Sequence, residues 1–234
     1  ASLLRMRGEP LANVTPHEAA AGRQRRKLDL LSKLDQATLT DCGHQDSIAA
    51  AIQNQELAFR MQSAVPDLLD LRGESAALQR LYGMESDYEP TRTFARQCML
   101  ARRLVERGVR FVELTCMSTG HDRWDQHSDL RNGLGDNCRM VDQPIGALLE
   151  DLAARGLLDE TLVVWGGEFG RTPFAQGTDG RDHNPFGFTM WLAGGGTKPG
   201  FAYGQTDDYG YRAVENPVSV HDLHATIQIG RAHV

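Results

Sequence analysis

The sequence predicts an α/β layered domain with a helical first half. Three observations carry that reading: helical apolar spacing before residue 108, apolar runs of strand length after it, and a helix, strand, helix, strand order across the second half. With 234 residues, 41% hydrophobic and 24% charged, the chain is long enough for one sizeable core, and one domain is the default expectation.

From about Gln24 to Met84 the chain is rich in Leu, Ala, Gln, Glu and Arg. Apolar residues recur at helical spacings, as in Leu28, Leu31, Leu34 and Ala58, Met61, Ala64. Pro66 and the Pro90-Thr91 junction punctuate this stretch, because proline ends helices and biases the residue before it to extended forms. A further helix is expected over Thr91 to Arg107, with Gly108 as its C′ residue. Val109 to Thr115 (VRFVELT) then reads as a short buried strand, and Asn132 to Arg155 as a helix stopped at Gly156. Thr161 to Trp165 and Phe186 to Ala193 are strand-length apolar runs, each followed by glycines. A last helical pattern begins near Val218. No internal repeat or low-complexity segment is present.

Both ends read as non-natural. The chain begins with Ala1 in what reads as mid-domain sequence, so a piece of a longer protein is expected. Ile229 to Val234 is what a common sequencing-adapter string encodes, so residues 229–234 are expected to be a non-native tail. The expected organisation is one partial domain over 1–228, helical over about 1–107 and α/β over about 108–228.

Composition removes several functional classes. A net charge of −6 argues against nucleic-acid or anionic-membrane binding. The only dense basic run, Arg23 to Lys27, opens a helix and reads as a solvated face. No run approaches eighteen apolar residues, so no transmembrane segment is expected. The four cysteines, Cys42, Cys98, Cys116 and Cys138, show no zinc-ribbon spacing. No G-x-S-x-G elbow, Walker loop or dinucleotide fingerprint follows a strand.

Three polar clusters fall beside predicted strands, at the rim where open α/β sheets place their sites. In the first, Asp125 and His127 are two residues apart and can offer one oxygen and one imidazole nitrogen to a divalent cation, with His121 a further candidate. The same segment could equally be a polar loop with a capping Asp and a surface His. In the second, Glu168 follows Gly166-Gly167 and its carboxylate suits a hard cation. Three residues on, Arg171 can hold a phosphate or sulfate oxygen, or can simply pair with Glu168. The third carries Arg181, Asp182 and His183 ahead of the Phe186 run, so that His183 can face Glu168; an Asx turn is the alternative. His221 and His224 share a face of the last helix and read as structural. Tyr203, Tyr209 and Tyr211 with Asp207 and Asp208 read as a turn region.

The segments WDQH, GGEFGRTP, GRDHNP and GFAYGQTDDYGYRAVENPVSVHDLHATI, in this order, resemble the bacterial family called domain of unknown function 1501. The resemblance spans nearly the whole chain to Ile227. That family looks like a branch of the alkaline phosphatase and sulfatase superfamily. The resemblance therefore implies a layered fold with an incomplete sheet flanked by helices, and a divalent cation such as zinc, calcium, magnesium or manganese. It also implies a phosphate- or sulfate-ester substrate. Carried over residue by residue, Asp125 and His127 look like the Asp and His pair of one metal site and His183 like its last His. Glu168 stands in the place of an acidic ligand of the other site. Arg171 and Arg181 would neutralise charge developing at phosphorus or sulfur. Phe169 departs from the pattern, standing where the superfamily usually has His. The superfamily's N-terminal strand, with its Asp and nucleophile, is expected to be missing here. Whole members often carry a twin-arginine signal, which implies a periplasmic or cell-surface location. The alternative function is a non-catalytic cell-surface or carbohydrate-binding protein that keeps the fold.

Overall fold

The computed structural model describes residues 22–42, 46–120 and 123–231, and within these it mixes helices with small antiparallel sheets. The chain divides into two compact units, residues 1–74 and 75–234.

The first unit pairs two helices, α1 (Arg23–Cys42) and α2 (Asp46–Leu69), followed by a 3-10 turn at Leu71–Gly73. Pro66, expected to punctuate, instead lies inside the last turn of α2. A proline that close to a C-terminus removes one ladder bond and leaves most of the helix intact. Asp70 then receives the backbone N–H of Arg72 at 3.1 Å and starts the short turn.

The second unit holds the candidate site. Helix α3 (Ala76–Tyr82) is capped by Ser75, whose hydroxyl accepts from Leu78 N–H at 3.2 Å, and it ends at Gly83 in the left-handed region. Helix α4 (Glu89–Glu106) begins with Pro90 in its first turn, and α5 runs from Leu130 to Ala154. The α4 residues Thr91, Phe94, Ala95, Cys98 and Arg102 are buried, as are Asn137, Met140, Val141, Pro144, Leu148 and Leu152 of α5. Both sets recur every three or four residues, so each helix buries one stripe, and the two stripes pack on each other.

This helical core contains charge. Arg102 pairs with Asp151 at 3.0 Å and with Glu106 at 2.8 Å. Arg155 pairs with Asp151 at 2.7 Å and with Glu106 at 2.8 Å. The fully buried Tyr82 donates its hydroxyl to Asp151 at 3.0 Å, joining α3 to α5.

The strands are shorter than the apolar runs suggested, and among the described residues they make three separate two-stranded antiparallel sheets instead of one. β1 (Val163–Trp165) pairs with β4 (Trp191–Ala193). Of the expected Phe186 to Ala193 strand, only the last three residues are in a ladder. β2 (Gly170–Gln176) and β3 (Gly180–Asn184) form a hairpin from residues that read as loop, and β5 (Gln205–Thr206) pairs with β6 (Ala213–Glu215). Val109 to Thr115, expected as a short buried strand, is mostly exposed and pairs with no strand among the described residues. The final helix, α6 (Val220–Arg231), is largely exposed, including His221 and His224, so these histidines are not the packed structural residues expected from the pattern. Residues 232–234 of the expected tail lie outside the described residues. No helix among the described residues is long and apolar enough to cross a membrane.

Candidate metal centre

Two segments build the site: the loop carrying Asp125 and His127, and the β2–β3 hairpin. Asn137, fully buried on α5, holds the loop at its start. Its side-chain amide donates to the Arg123 carbonyl, and its oxygen accepts from the Thr119 hydroxyl at 3.2 Å. Buried Gln126 lies against Gly133 of α5, where a Cβ would come within 2.8 Å of its side chain. Trp124 packs edge-on against Trp165 of β1, with ring centroids 5.6 Å apart. The loop is therefore set by a helix on one side and an aromatic wall on the other.

The hairpin meets this loop through its backbone. Arg181 N–H donates to the Gln126 carbonyl at 2.9 Å. Gly180 sits so close that a Cβ there would lie 1.8 Å from the His127 carbonyl oxygen, which only glycine permits. Within the hairpin Arg171 is the direct cross-strand partner of His183, and directly opposed side chains in an antiparallel pair share a face. The register then slips between Arg171 and Ala175, where Pro173 has no N–H to give. Thr172 closes the bulge by donating to the Phe174 carbonyl at 2.9 Å and accepting from Asp182 N–H at 3.1 Å.

The consequence is a tight triangle of donor atoms. Asp125 Oδ1 lies 3.0 Å from His127 Nε2 and 3.0 Å from His183 Nε2, and the two Nε2 atoms are 3.1 Å apart. Among the described residues these three side chains form a group able to hold a metal ion. Tetrahedral zinc ligands at about 2.0–2.1 Å from the ion stand about 3.3 Å from one another, close to the spacing seen here. His127 Nδ1 lies 2.5 Å from Gln176 Oε1 on the far side of the ring. Arg171 donates from Nη1 to Asp125 Oδ1. Burial pushes the Asp125 carboxyl up, but hydrogen bonds from His183 and Arg171 and the nearby positive charges outweigh it and hold the group below the usual carboxylate range.

The other sequence-derived candidates fall around this triangle. Glu168 is 68% exposed and turns toward Arg171, with Oε1 3.8 Å from Nη2, and it is not one of the three grouped donors. Phe169 lays its ring against His183 at 4.4 Å between centroids, with the Arg171 guanidinium 5.4 Å from the same ring. Arg181 donates from Nη1 to the Gly180 carbonyl at 2.8 Å and borders a shallow groove of about 640 Å³ with Leu134, Cys138 and Thr178. His121 lies outside the described residues. Gln176 was not picked out by sequence, since it is five residues from Arg171 and strict alternation would put it on the face of β2 opposite Arg171 and His183.

A mixed helix and strand unit carrying an Asp–His–His group that could hold a metal ion is the class of protein defined by these elements. The family described as protein of unknown function (DUF1501) matches residues 2–231, and the chain belongs to that family. No curated protein matches the chain, and neither does any solved structure.

Proposed function

We propose that this chain is part of an exported, sulfatase-like protein, with an alkaline phosphatase-like layered fold when complete, that acts as a metal-dependent hydrolase of phosphate or sulfate esters. The observation that supports it is the Asp125, His127, His183 triangle, with atoms 3.0 to 3.1 Å apart. Two imidazole nitrogens and one carboxylate oxygen suit zinc or manganese better than calcium, which takes six to eight oxygens. When bound, the cation would supply Lewis-acid polarisation of an ester oxygen. Arg171 sits on the same face as His183 and already compensates Asp125, so it is placed to meet the charge of an oxyanion ligand as well. Glu168, exposed and 3.8 Å from the Arg171 guanidinium, is the neighbouring acidic ligand of this reading. The nucleophile belongs to the part of the protein that the resemblance places upstream, and this chain by itself is expected to be inactive. A twin-arginine signal and a periplasmic or cell-surface location belong to the same reading.

A second reading, a surface or carbohydrate-binding protein that keeps one metal without catalysis, is favoured by Phe169. Its ring packs against His183, and the resemblance would have a histidine ligand at this position. Metal analysis of the complete protein, with and without His127→Ala plus His183→Ala, separates these readings. A single bound cation, lost in the double variant, together with metal-dependent release of an aryl phosphate or sulfate, is the result expected of the hydrolase. Bound metal without turnover selects the binding protein, and a chain that takes up no metal from zinc or manganese solution sinks both metal-dependent readings.

A further inference from the structure

Gln176 brings a neutral amide to the ring of a candidate ligand from outside the donor triangle. Its Oε1 lies 2.5 Å from His127 Nδ1, and the opposite ring nitrogen, Nε2, lies 3.0 Å from Asp125 Oδ1 and 3.1 Å from His183 Nε2. With its carbonyl oxygen, not its amide nitrogen, turned to the ring, Gln176 pairs with a proton on Nδ1. A neutral imidazole has only one, and Nε2 is then a bare lone pair aimed at the centre of the triangle. Gln176 is itself held from both sides. It closes the β2 ladder opposite Gly180, and Gly180 is the residue whose missing Cβ lets the His127 carbonyl approach. The strand end that carries the amide and the backbone of His127 thus meet at Gly180, close to the imidazole that the amide contacts.

We propose that Gln176 is a positioning residue that fixes His127 in the Nδ1–H tautomer and orients its Nε2 toward Asp125 and His183. The role in metal capture rests on the metal-dependent reading above; the tautomer does not. Outer partners of this kind hold ring orientation and raise ligand basicity, and their loss costs about 10- to 100-fold in metal affinity.

The test compares Gln176→Leu, which keeps bulk and loses the acceptor, with Gln176→Glu, which keeps an acceptor at the same place. Both are made in the full chain, and zinc affinity is measured by competition with a chelator. The Leu variant is expected to bind zinc about 10- to 100-fold more weakly, while the Glu variant binds as well as the unsubstituted chain or better. Equal zinc affinity in the Leu variant and the parent overturns the proposal. So does equal loss in both variants, since that would report only a damaged hairpin. Nitrogen-15 shifts of His127 in metal-free protein, at a pH where the ring is neutral, provide the readout independent of metal. The parent is expected to show the proton on Nδ1, and the Leu variant a mixture of tautomers. A parent with its proton on Nε2 overturns the proposal whether or not zinc binds. If the parent binds no zinc yet shows the Nδ1–H form, and the Leu variant loses it, the metal reading has failed and the assignment of Gln176 stands.

Discussion

The helical core and the loop–hairpin junction each gather carboxylates with cationic or imidazole side chains, and they treat them in opposite ways. Around Asp151 the charges close on themselves. Arg102 and Asp151 are only 2% and 5% exposed, and the carboxylates of Asp151 and Glu106 are shared between two guanidinium groups and one phenol. Around Asp125 the side chains are 36% to 49% exposed, and one carboxylate oxygen and two imidazole nitrogens lie 3.0 to 3.1 Å from one another. A buried network must satisfy itself, because desolvation is repaid only by partners already in place. A half-exposed cluster is under no such demand and can leave coordination capacity for a ligand. The first arrangement keeps its charges within the helical layer, whereas the second leaves a group that could hold a metal ion half-exposed.

The largest effect is expected from breaking the closed network. Asp151→Ala leaves Arg102 and Arg155 short of a carboxylate inside the helical layer and should destabilise the protein by about 3–5 kcal/mol, measured by denaturant unfolding. A loss well under that would mean that the network is as expendable as a surface cluster. Tyr82→Phe removes one donor to the same carboxylate and should cost about 1 kcal/mol at neutral pH. Burial, then the charge and hydrogen bond of Asp151, push the Tyr82 phenol far above its usual value. The folded state therefore favours the neutral phenol, and its contribution is fully present below the unfolded value of about 10 and is lost as pH rises past it. Unfolding followed at alkaline pH should show the gap between parent and Phe variant narrowing, and a gap that widens would contradict the burial argument. Least affected should be His183→Ala in chelator-treated protein, with a stability change within about 0.5 kcal/mol. A cost of several kcal/mol there would show that the triangle is structural glue, and the contrast between the two regions would collapse.

Much of the helical architecture was legible because periodicity is a local signal. The α4 and α5 stripes follow from the spacing of Phe94, Cys98, Met140, Leu148 and their neighbours, and Gly108 and Gly156 both occupy the left-handed conformation expected after a helix end. The strands were less legible. Apolar runs at Val109 and Phe186 have strand composition, yet a strand exists only where another segment supplies a ladder, and only three residues of the second run find one. The hairpin of β2 and β3 was hidden for the converse reason. Its residues, GRTPFAQ and GRDHN, are polar and bulged, with no alternation to reveal them.

By itself the sequence determined which side chains could serve as ligands, since Asp, His and Glu in glycine-punctuated clusters declare their chemistry through residue type alone. It also determined the helical stripes, whose period is written within one segment. Only the tertiary structure decided that Asp125, His127 and His183 meet while Glu168 turns toward Arg171, that Gly180 must be glycine, and that Gln176 backs His127. Those outcomes depend on the register of a bulged hairpin and on a loop pinned by Asn137. Both are contacts between residues far apart in the chain, and no local pattern encodes them.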